Sequence, residues 1–165
     1  RPTTPGSVSR CALPARLGPL RRTVLPYDFL FRSVNTHVLL PRPFTGETGA
    51  DRLELMRALG GGACFVANDR LASGRGFHFT AQGRDETAGM GESIRCRLGV
   101  TLQIRAPQRA ELRLVRDGAL EGTWSDSEVA VHKASTPGVY RAEAYLEMDG
   151  RRRGWIFSNP IFVTA

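Results

Sequence analysis

The sequence predicts a mainly β protein, an antiparallel β-sandwich preceded by a linker and two helices. Beyond residue 62, apolar and polar residues alternate over short stretches, and turn residues separate these stretches at regular spacing. Helical spacing of apolar residues is confined to the first 62 residues. We therefore predict two regions, 1–62 with the linker and helices and 63–165 with the sandwich.

The first region opens with residues 1–25, which contain four prolines, two glycines and no sustained apolar period. This composition predicts an irregular linker. Residues 27–40 are predicted to form the first helix, because Pro26 suits a first helical turn and Pro41 ends the stretch. Its apolar residues recur at four-residue intervals at Leu30, Val34 and Val38.

The second helix has clearer boundaries. Asp51 and Glu54 are spaced like a capping box, and the glycines 60–62 end the helix. The predicted inward face carries Leu55, Met56 and Leu59.

Seven strands are predicted in the second region, at 63–67, 76–80, 94–104, 110–115, 128–132, 140–148 and 155–163. The clearest is 94–104, where even-numbered residues are apolar and odd-numbered residues are mostly polar, so that one face packs in the core. Asp117–Gly118 and Asp149–Gly150 are the turn signals of two hairpins.

A tyrosine opens the strand at 140–148, directly after the turn residues Pro137 and Gly138. This pattern resembles the tyrosine corner of immunoglobulin-like domains. Ala142 stands where antibody domains carry a cysteine, so we expect an immunoglobulin-like sandwich without the inter-sheet disulfide.

The final strand is interrupted by Ser158, Asn159 and Pro160. A proline removes a backbone donor and suits a bulge or an edge. We predict a bend in which Asn159 bonds its own backbone. Four odd-numbered residues are then expected to face the core: Trp155, Phe157, Ile161 and Val163.

The net charge of +7 comes almost entirely from scattered arginines, since Lys133 is the only lysine. This distribution favours an ordinary solvated surface over a nucleic-acid-binding face. The one dense run, 151–153, is predicted at a hairpin tip. Three widely spaced cysteines favour reduced thiols and a cytoplasmic location, and no apolar run is long enough to span a membrane.

Residues for catalysis are few. The three histidines, His37, His78 and His132, fall on different predicted elements, and no nucleophile elbow or phosphate-binding loop is present. His37 lies late in the predicted first helix, where an imidazolium can interact with the carbonyl end of the helix. A functional role is the alternative interpretation of this residue. We predict neither catalytic residues nor metal ligands in this chain.

Three parts of the sequence together resemble the C-terminal region of CehA/McbA-like members of the PHP (polymerase and histidinol phosphatase) superfamily. They are residues 25–39, residues 74–79, and residues 137–143 with 155–163. The resemblance implies a parent enzyme that hydrolyses phosphoesters or related esters with zinc, manganese or iron held in a barrel domain. The metal ligands of that barrel do not map onto this chain and are expected upstream of Arg1.

The resemblance therefore implies a non-catalytic accessory domain whose partner is a PHP catalytic barrel. The candidate contact residues are Arg32, His37, Trp155 and Asn159. A homo-oligomer is a possible assembly, whereas nucleic-acid and membrane partners are not expected. Two alternatives stay open: a chain that completes a metal site through a partner, and a carbohydrate-binding module with Trp124 and Trp155 as stacking platforms.

Overall fold

The computed structural model of the chain describes residues 14–17, 20–23, 31 and 33–165. The elements are β1 (Pro14–Leu17), β2 (Leu20–Thr23), β3 (Asn35–Val38), α1 (Thr48–Gly60), β4 (Cys64–Ala67), β5 (His78–Gln82), β6 (Thr87–Ala88), β7 (Ser93–Arg95), β8 (Val100–Arg116), β9 (Ala119–Ala134), β10 (Gly138–Met148), β11 (Arg151–Ser158) and β12 (Ile161–Thr164). The predicted mainly β, antiparallel fold is confirmed.

The region before α1 differs from its prediction. β1 and β2 pair antiparallel within the stretch predicted as irregular linker. The first helix predicted over 27–40 is wrong in its second half, because Asn35–Val38 is the strand β3. Residues 27–30 and 32 of that prediction lie outside the described residues. β3 pairs with β4, and sheet pairing thus overrides a weak helical period.

α1 confirms the predicted second helix, with a different N-terminus. Asp51 does not form a capping box with Glu54. Its carboxylate accepts hydrogen bonds from the Thr45 hydroxyl and from the backbone N–H groups of Thr45 and Gly46, at 2.8–2.9 Å. Glu54 instead accepts from Arg42 at 2.9 Å. Gly61 ends the helix, as the sequence predicts.

β8 organises the sheet. Residues 101–105 of β8 pair with β5, and residues 111–116 pair with β10, while β9 follows β8 on its other side as a long hairpin. Beyond β10 the order continues through β11 and β4 to β3. Buried side chains from both parts of the sheet form one hydrophobic cluster, an arrangement consistent with a sandwich.

The predicted strand 94–104 is in fact two strands. β7 ends at Arg95, and β8 begins at Val100 after Gly99, whose φ of +92° breaks the extended backbone. Buried residues follow the predicted parity at Ile94 and along β8. Leu98 departs from it, because the break leaves its side chain 72% exposed.

The final predicted strand is likewise divided, into β11 and β12, at Asn159 and Pro160. Trp155, Ile161 and Val163 are buried, as predicted, but Phe157 is 38% exposed. The pairing of β11 with β10 shifts register at Trp155, so that Trp155 and Ile156 are both buried. This bulge reverses the parity on which the prediction for Phe157 depended.

Tyr140 bonds back to the turn that precedes β10. Tyr140 is buried, and its hydroxyl donates to the carbonyl oxygen of Thr136, four residues upstream, at 2.8 Å. Asp117 and Gly118 both have positive φ, as the predicted hairpin turn requires. Arg151, Arg152 and Arg153 lie at the start of β11, next to the predicted hairpin tip at Asp149 and Gly150.

Ser158 completes the hydrogen bonding of the sheet where β11 ends. Its hydroxyl oxygen accepts a hydrogen bond of 2.8 Å from the backbone N–H of Ala142 on β10, and both residues are buried. The break at Asn159 and Pro160 leaves this donor without a strand partner, so the side chain takes the place of a backbone carbonyl.

Replacing Ser158 by alanine is expected to lower the free energy of unfolding by about 1–3 kcal/mol, because the Ala142 donor is then buried without an acceptor. Urea denaturation of the variant and of the wild type measures the difference. Ser135 is exposed, so Ser135→Ala is the matched control. Equal stabilities of the two variants would show that the Ser158 hydroxyl does not stabilise the fold.

Candidate functional site

A polar cluster that includes the candidate residue His37 surrounds Asp69. One carboxylate oxygen of Asp69 lies 2.9 Å from Nε2 of His37 and 2.8 Å from the amide nitrogen of Asn35. The other accepts a hydrogen bond of 2.8 Å from the backbone N–H of Gly74. The Asp69 cluster, defined as Asn35, His37, Asp69 and Gly74, thus joins β3 to the loop that follows β4.

Strand geometry explains why these side chains meet. Asn35 and His37 are two residues apart on β3 and therefore project from the same face. In the β3–β4 register His37 lies opposite Phe65, and its ring stacks on the Phe65 ring with centroids 4.7 Å apart and planes 5° apart. Asp69 follows the end of β4 by two residues and turns back toward β3.

Gly74 fits this cluster because it lacks a side chain. A Cβ at this position would lie 2.7 Å from Cβ of Ala67 and 3.4 Å from Nε2 of His37. The close approach brings the Gly74 N–H to the carboxylate, so this glycine is part of the geometry of the cluster.

The carboxylate of Asp69 is negatively charged near neutral pH. Partial burial acts to raise its pKa, but hydrogen bonds from Gly74, Asn35 and His37 outweigh burial and hold the pKa below its ordinary value. His37 Nε2–H therefore donates to the carboxylate. A histidine oriented by an aspartate is the base of several hydrolase sites. Here the aspartate also closes a loop, and that contact gives the cluster a structural role.

Replacing Asp69 by asparagine is expected to lower the free energy of unfolding at pH 7 by about 2–3 kcal/mol, since the carboxylate accepts three hydrogen bonds. Because the folded-state pKa is depressed, the stabilisation is present above the ordinary value of 3.8 and is lost as the pH falls through the folded-state pKa. The difference between wild type and Asp69→Asn should therefore narrow below pH 3.8.

Urea denaturation at neutral and acidic pH measures this narrowing. Asp85 is exposed, and Asp85→Asn should change the stability by less than about 0.5 kcal/mol at either pH. A stability difference for Asp69→Asn that stays constant with pH would show that the ionised carboxylate is not what holds the loop.

The side chains of the other candidate residues are not part of the Asp69 cluster. Trp155 is fully buried, and its indole N–H donates to the carbonyl oxygen of Ala72 at 2.7 Å, which fixes the same loop from beneath. Asn159 bonds the chain elsewhere than predicted: its amide nitrogen donates to the carbonyl oxygen of Gly62 at 3.0 Å, not to its own backbone. Arg32 lies outside the described residues.

Among residues 31 and 33–165, no group of three or more His, Cys, Asp or Glu side chains is arranged to hold a metal ion. His78 is exposed, as predicted, and His132 lies 3.8 Å from a carboxylate oxygen of Glu121.

The surface of α1 differs from its prediction. The sequence predicts an inward face with Leu55, Met56 and Leu59, yet none of the thirteen residues of α1 is buried. Leu53, Met56 and Leu59 are 51%, 58% and 39% exposed, and Phe44, just before the helix, is 58% exposed. These four residues are named the α1 apolar surface.

A groove of about 720 Å³ separates α1 from the β-sheet region. Leu39, Leu40, Ala58 and Met90 line it together with several glycines. The helix therefore rests on the rest of the molecule over a small area only. The helical period of the apolar residues does not show whether another element covers them, so the sequence could not reveal this exposed surface.

Comparisons with known proteins add no family. No protein-family model matches the chain, and searches of curated proteins and of solved structures found no significant match. Within the described part of the chain, no helix has both the length and the apolar character needed to cross a membrane.

Proposed function

We propose that the chain is a non-catalytic accessory domain of a PHP-type metal-dependent phosphoesterase or related hydrolase. In this proposal an immunoglobulin-like sandwich forms the body of the domain, and α1 with its preceding loop docks on the catalytic barrel. The domain buttresses the barrel or shapes one wall of its substrate cleft. We place this assembly in the cytoplasm, where Cys64 and Cys96 would stay reduced.

The observation that carries the proposal is the α1 apolar surface. An isolated helix of thirteen residues is marginal in water and is normally stabilised by packing its apolar side chains. In α1 these side chains point largely to solvent. Exposed apolar side chains that cluster on a soluble protein often mark an interaction site, so a second domain packed on α1 accounts for those of α1.

The distribution of buried side chains supports the same proposal. Large side chains that are fully buried, such as Trp155, Tyr140 and Phe79, come from the strands after α1. These strands therefore hold a core of their own, while α1 contributes no buried residue to it. The strands form a packed core without α1, and α1 leaves its apolar side chains exposed. This pattern favours a domain that binds another domain through α1.

The carbohydrate-binding alternative loses one of its two side chains. Trp155 is 0% exposed and engages its indole N–H with Ala72, so it has no free face on which a sugar ring could stack. Trp124 is half-buried and packs edge-on against His132, with ring centroids 6.4 Å apart. The carbohydrate-binding alternative therefore depends on Trp124 alone.

The proposal is tested on the polypeptide encoded by the reading frame that continues upstream of Arg1. The expected upstream sequence contains the clustered His and Asp residues of a PHP barrel. Amide hydrogen exchange of α1 is then compared between this longer polypeptide and residues 1–165 alone. Docking predicts at least about 10-fold slower exchange in the longer polypeptide.

A triple variant supplies the matched comparison. Leu53→Ser, Met56→Ser and Leu59→Ser together should restore fast exchange in the longer polypeptide and lower its hydrolytic activity. Leu120→Ser with Val131→Ser, at exposed apolar sites of β9, should do neither. An upstream sequence without a barrel, or α1 exchange that is equal in both polypeptides, would refute the proposal.

A further inference from the structure

A second cavity, of about 490 Å³, lies at the break between β7 and β8, away from the Asp69 cluster and from α1. Its volume is in the range of sites for small molecules. The lining residues are Arg84, Asp85, Glu86, Arg95, Arg97, Leu98 and Gly99. We name it the β7–β8 cavity.

Its three arginines are available to a ligand. Arg84, Arg95 and Arg97 are exposed, and the ion pairs found among the described residues involve none of them. In contrast, most arginines of β8, β10 and β11 are paired with carboxylates, as Arg113 is with Glu111 at 2.6 Å. Three guanidinium groups around one cavity create a positive potential that attracts an anion.

Two carboxylates line the same cavity without cancelling this charge. One oxygen of Glu86 is engaged by the backbone N–H of Arg95 at 3.0 Å. The arginines outnumber the carboxylates, and the side chain of Lys133 adds a further cation beside Gly99, with Cε 3.3 Å from where a Cβ on that glycine would lie.

Leu98 gives the cavity an apolar wall. The strand break at Gly99 leaves this leucine 72% exposed, although sequence parity assigned it to the core. The same break thus places an apolar side chain beside the unpaired arginines. Together they match a ligand with a charged group and an apolar or planar organic part.

We infer that the β7–β8 cavity binds a small organic diphosphate. Guanidinium groups match phosphate oxygens in paired hydrogen bonds, and a diphosphate carries enough charge to engage more than one arginine. Leu98 contacts the organic part. This site is independent of docking through α1, so either proposal stands if the other fails.

Isothermal titration of residues 1–165 with inorganic pyrophosphate and with adenosine diphosphate tests the inference. Both are expected to bind, and orthophosphate is expected to bind at least about 10-fold more weakly because it reaches fewer arginines. Arg84→Gln with Arg97→Gln should weaken pyrophosphate binding by roughly 100-fold. Leu98→Ser should weaken adenosine diphosphate binding while leaving pyrophosphate binding unchanged.

The control removes the same charge elsewhere. Arg151→Gln with Arg153→Gln, at exposed positions of β11, should change pyrophosphate affinity by less than about 3-fold. Equal losses in both double variants would reveal general charge attraction and overturn the site. Absence of pyrophosphate binding at millimolar concentration would also overturn it, and an unchanged adenosine diphosphate affinity in Leu98→Ser would remove the organic part from the inference.

Discussion

Replacing Gly91 by alanine is expected to lower the free energy of unfolding by roughly 3–5 kcal/mol. Gly91 has a φ of +85°, which strains any residue with a Cβ. That Cβ would also overlap the carbonyl oxygen of Gly61 and the backbone of Gly62. Neither neighbour is a flexible side chain, so the backbone itself would have to move.

The position matters because three loops meet there. Gly91 donates its N–H to the carbonyl oxygen of Pro160 at 2.7 Å, and Asn159 donates to the carbonyl oxygen of Gly62. The end of α1, the loop before β7 and the β11–β12 break are thereby tied together. Displacing Gly91 should loosen all three.

Gly76→Ala separates backbone strain from overlap. Gly76 has a φ of +90°, but no atom lies within 4 Å of a Cβ built there. Its replacement should therefore cost only about 1 kcal/mol. Urea denaturation of both variants measures the difference, and equal losses of stability would show that the contact with Gly61 is not tight.

Replacing Trp155 by alanine is the second change with a large expected effect, a loss of about 3–5 kcal/mol in the free energy of unfolding. Trp155 is 0% exposed and stands first among the largest fully buried side chains. Its removal leaves a cavity in the core. It also leaves the carbonyl oxygen of Ala72 without the indole donor.

Trp155→Phe divides this loss into two parts, because phenylalanine keeps much of the packing and lacks the N–H. We expect it to cost less than alanine but still about 1–3 kcal/mol. Trp124→Phe, at a half-buried position, is the control and should cost less than Trp155→Phe. Thermal or urea unfolding measures all three, and a Trp155→Ala protein as stable as the wild type would contradict the described core.

The sequence was informative where a local signal has one physical meaning. The turn at Asp117 and Gly118, the glycines that end α1 and the alternation along β8 all depend on backbone geometry or on burial of one face. The structure has each of them where the sequence predicts it.

The sequence failed where pairing between distant strands decides the outcome. Asn35–Val38 has a helical period but pairs with β4. Phe157 has the parity of a core residue, but the bulge at Trp155 turns it outward. In both cases the deciding contact lies on another strand, which periodicity along one segment cannot reveal.

The candidate site was predicted only in part. His37 was singled out, but on a helix, and its partner Asp69 carried no signal in the sequence because the two are 32 residues apart. The β7–β8 cavity was missed for a related reason. A single Gly99 between two alternating stretches gave no sign that the strand would break there and expose Leu98.

Under the proposed function, this chain supports catalysis by another domain and needs no active site of its own. His37 is the residue on which a contrary account would rest, since it is oriented by Asp69 as a catalytic histidine would be. Our account gives that pair a different task, which is to hold the loop from 68 to 76 against β3.

The most direct measurement is therefore the hydrolysis of a generic phosphodiester by purified residues 1–165 with added manganese, for wild type and for His37→Ala. The account predicts that both proteins show only the rate of buffer with manganese. Hydrolysis by the wild type that is abolished in a folded His37→Ala variant would contradict it.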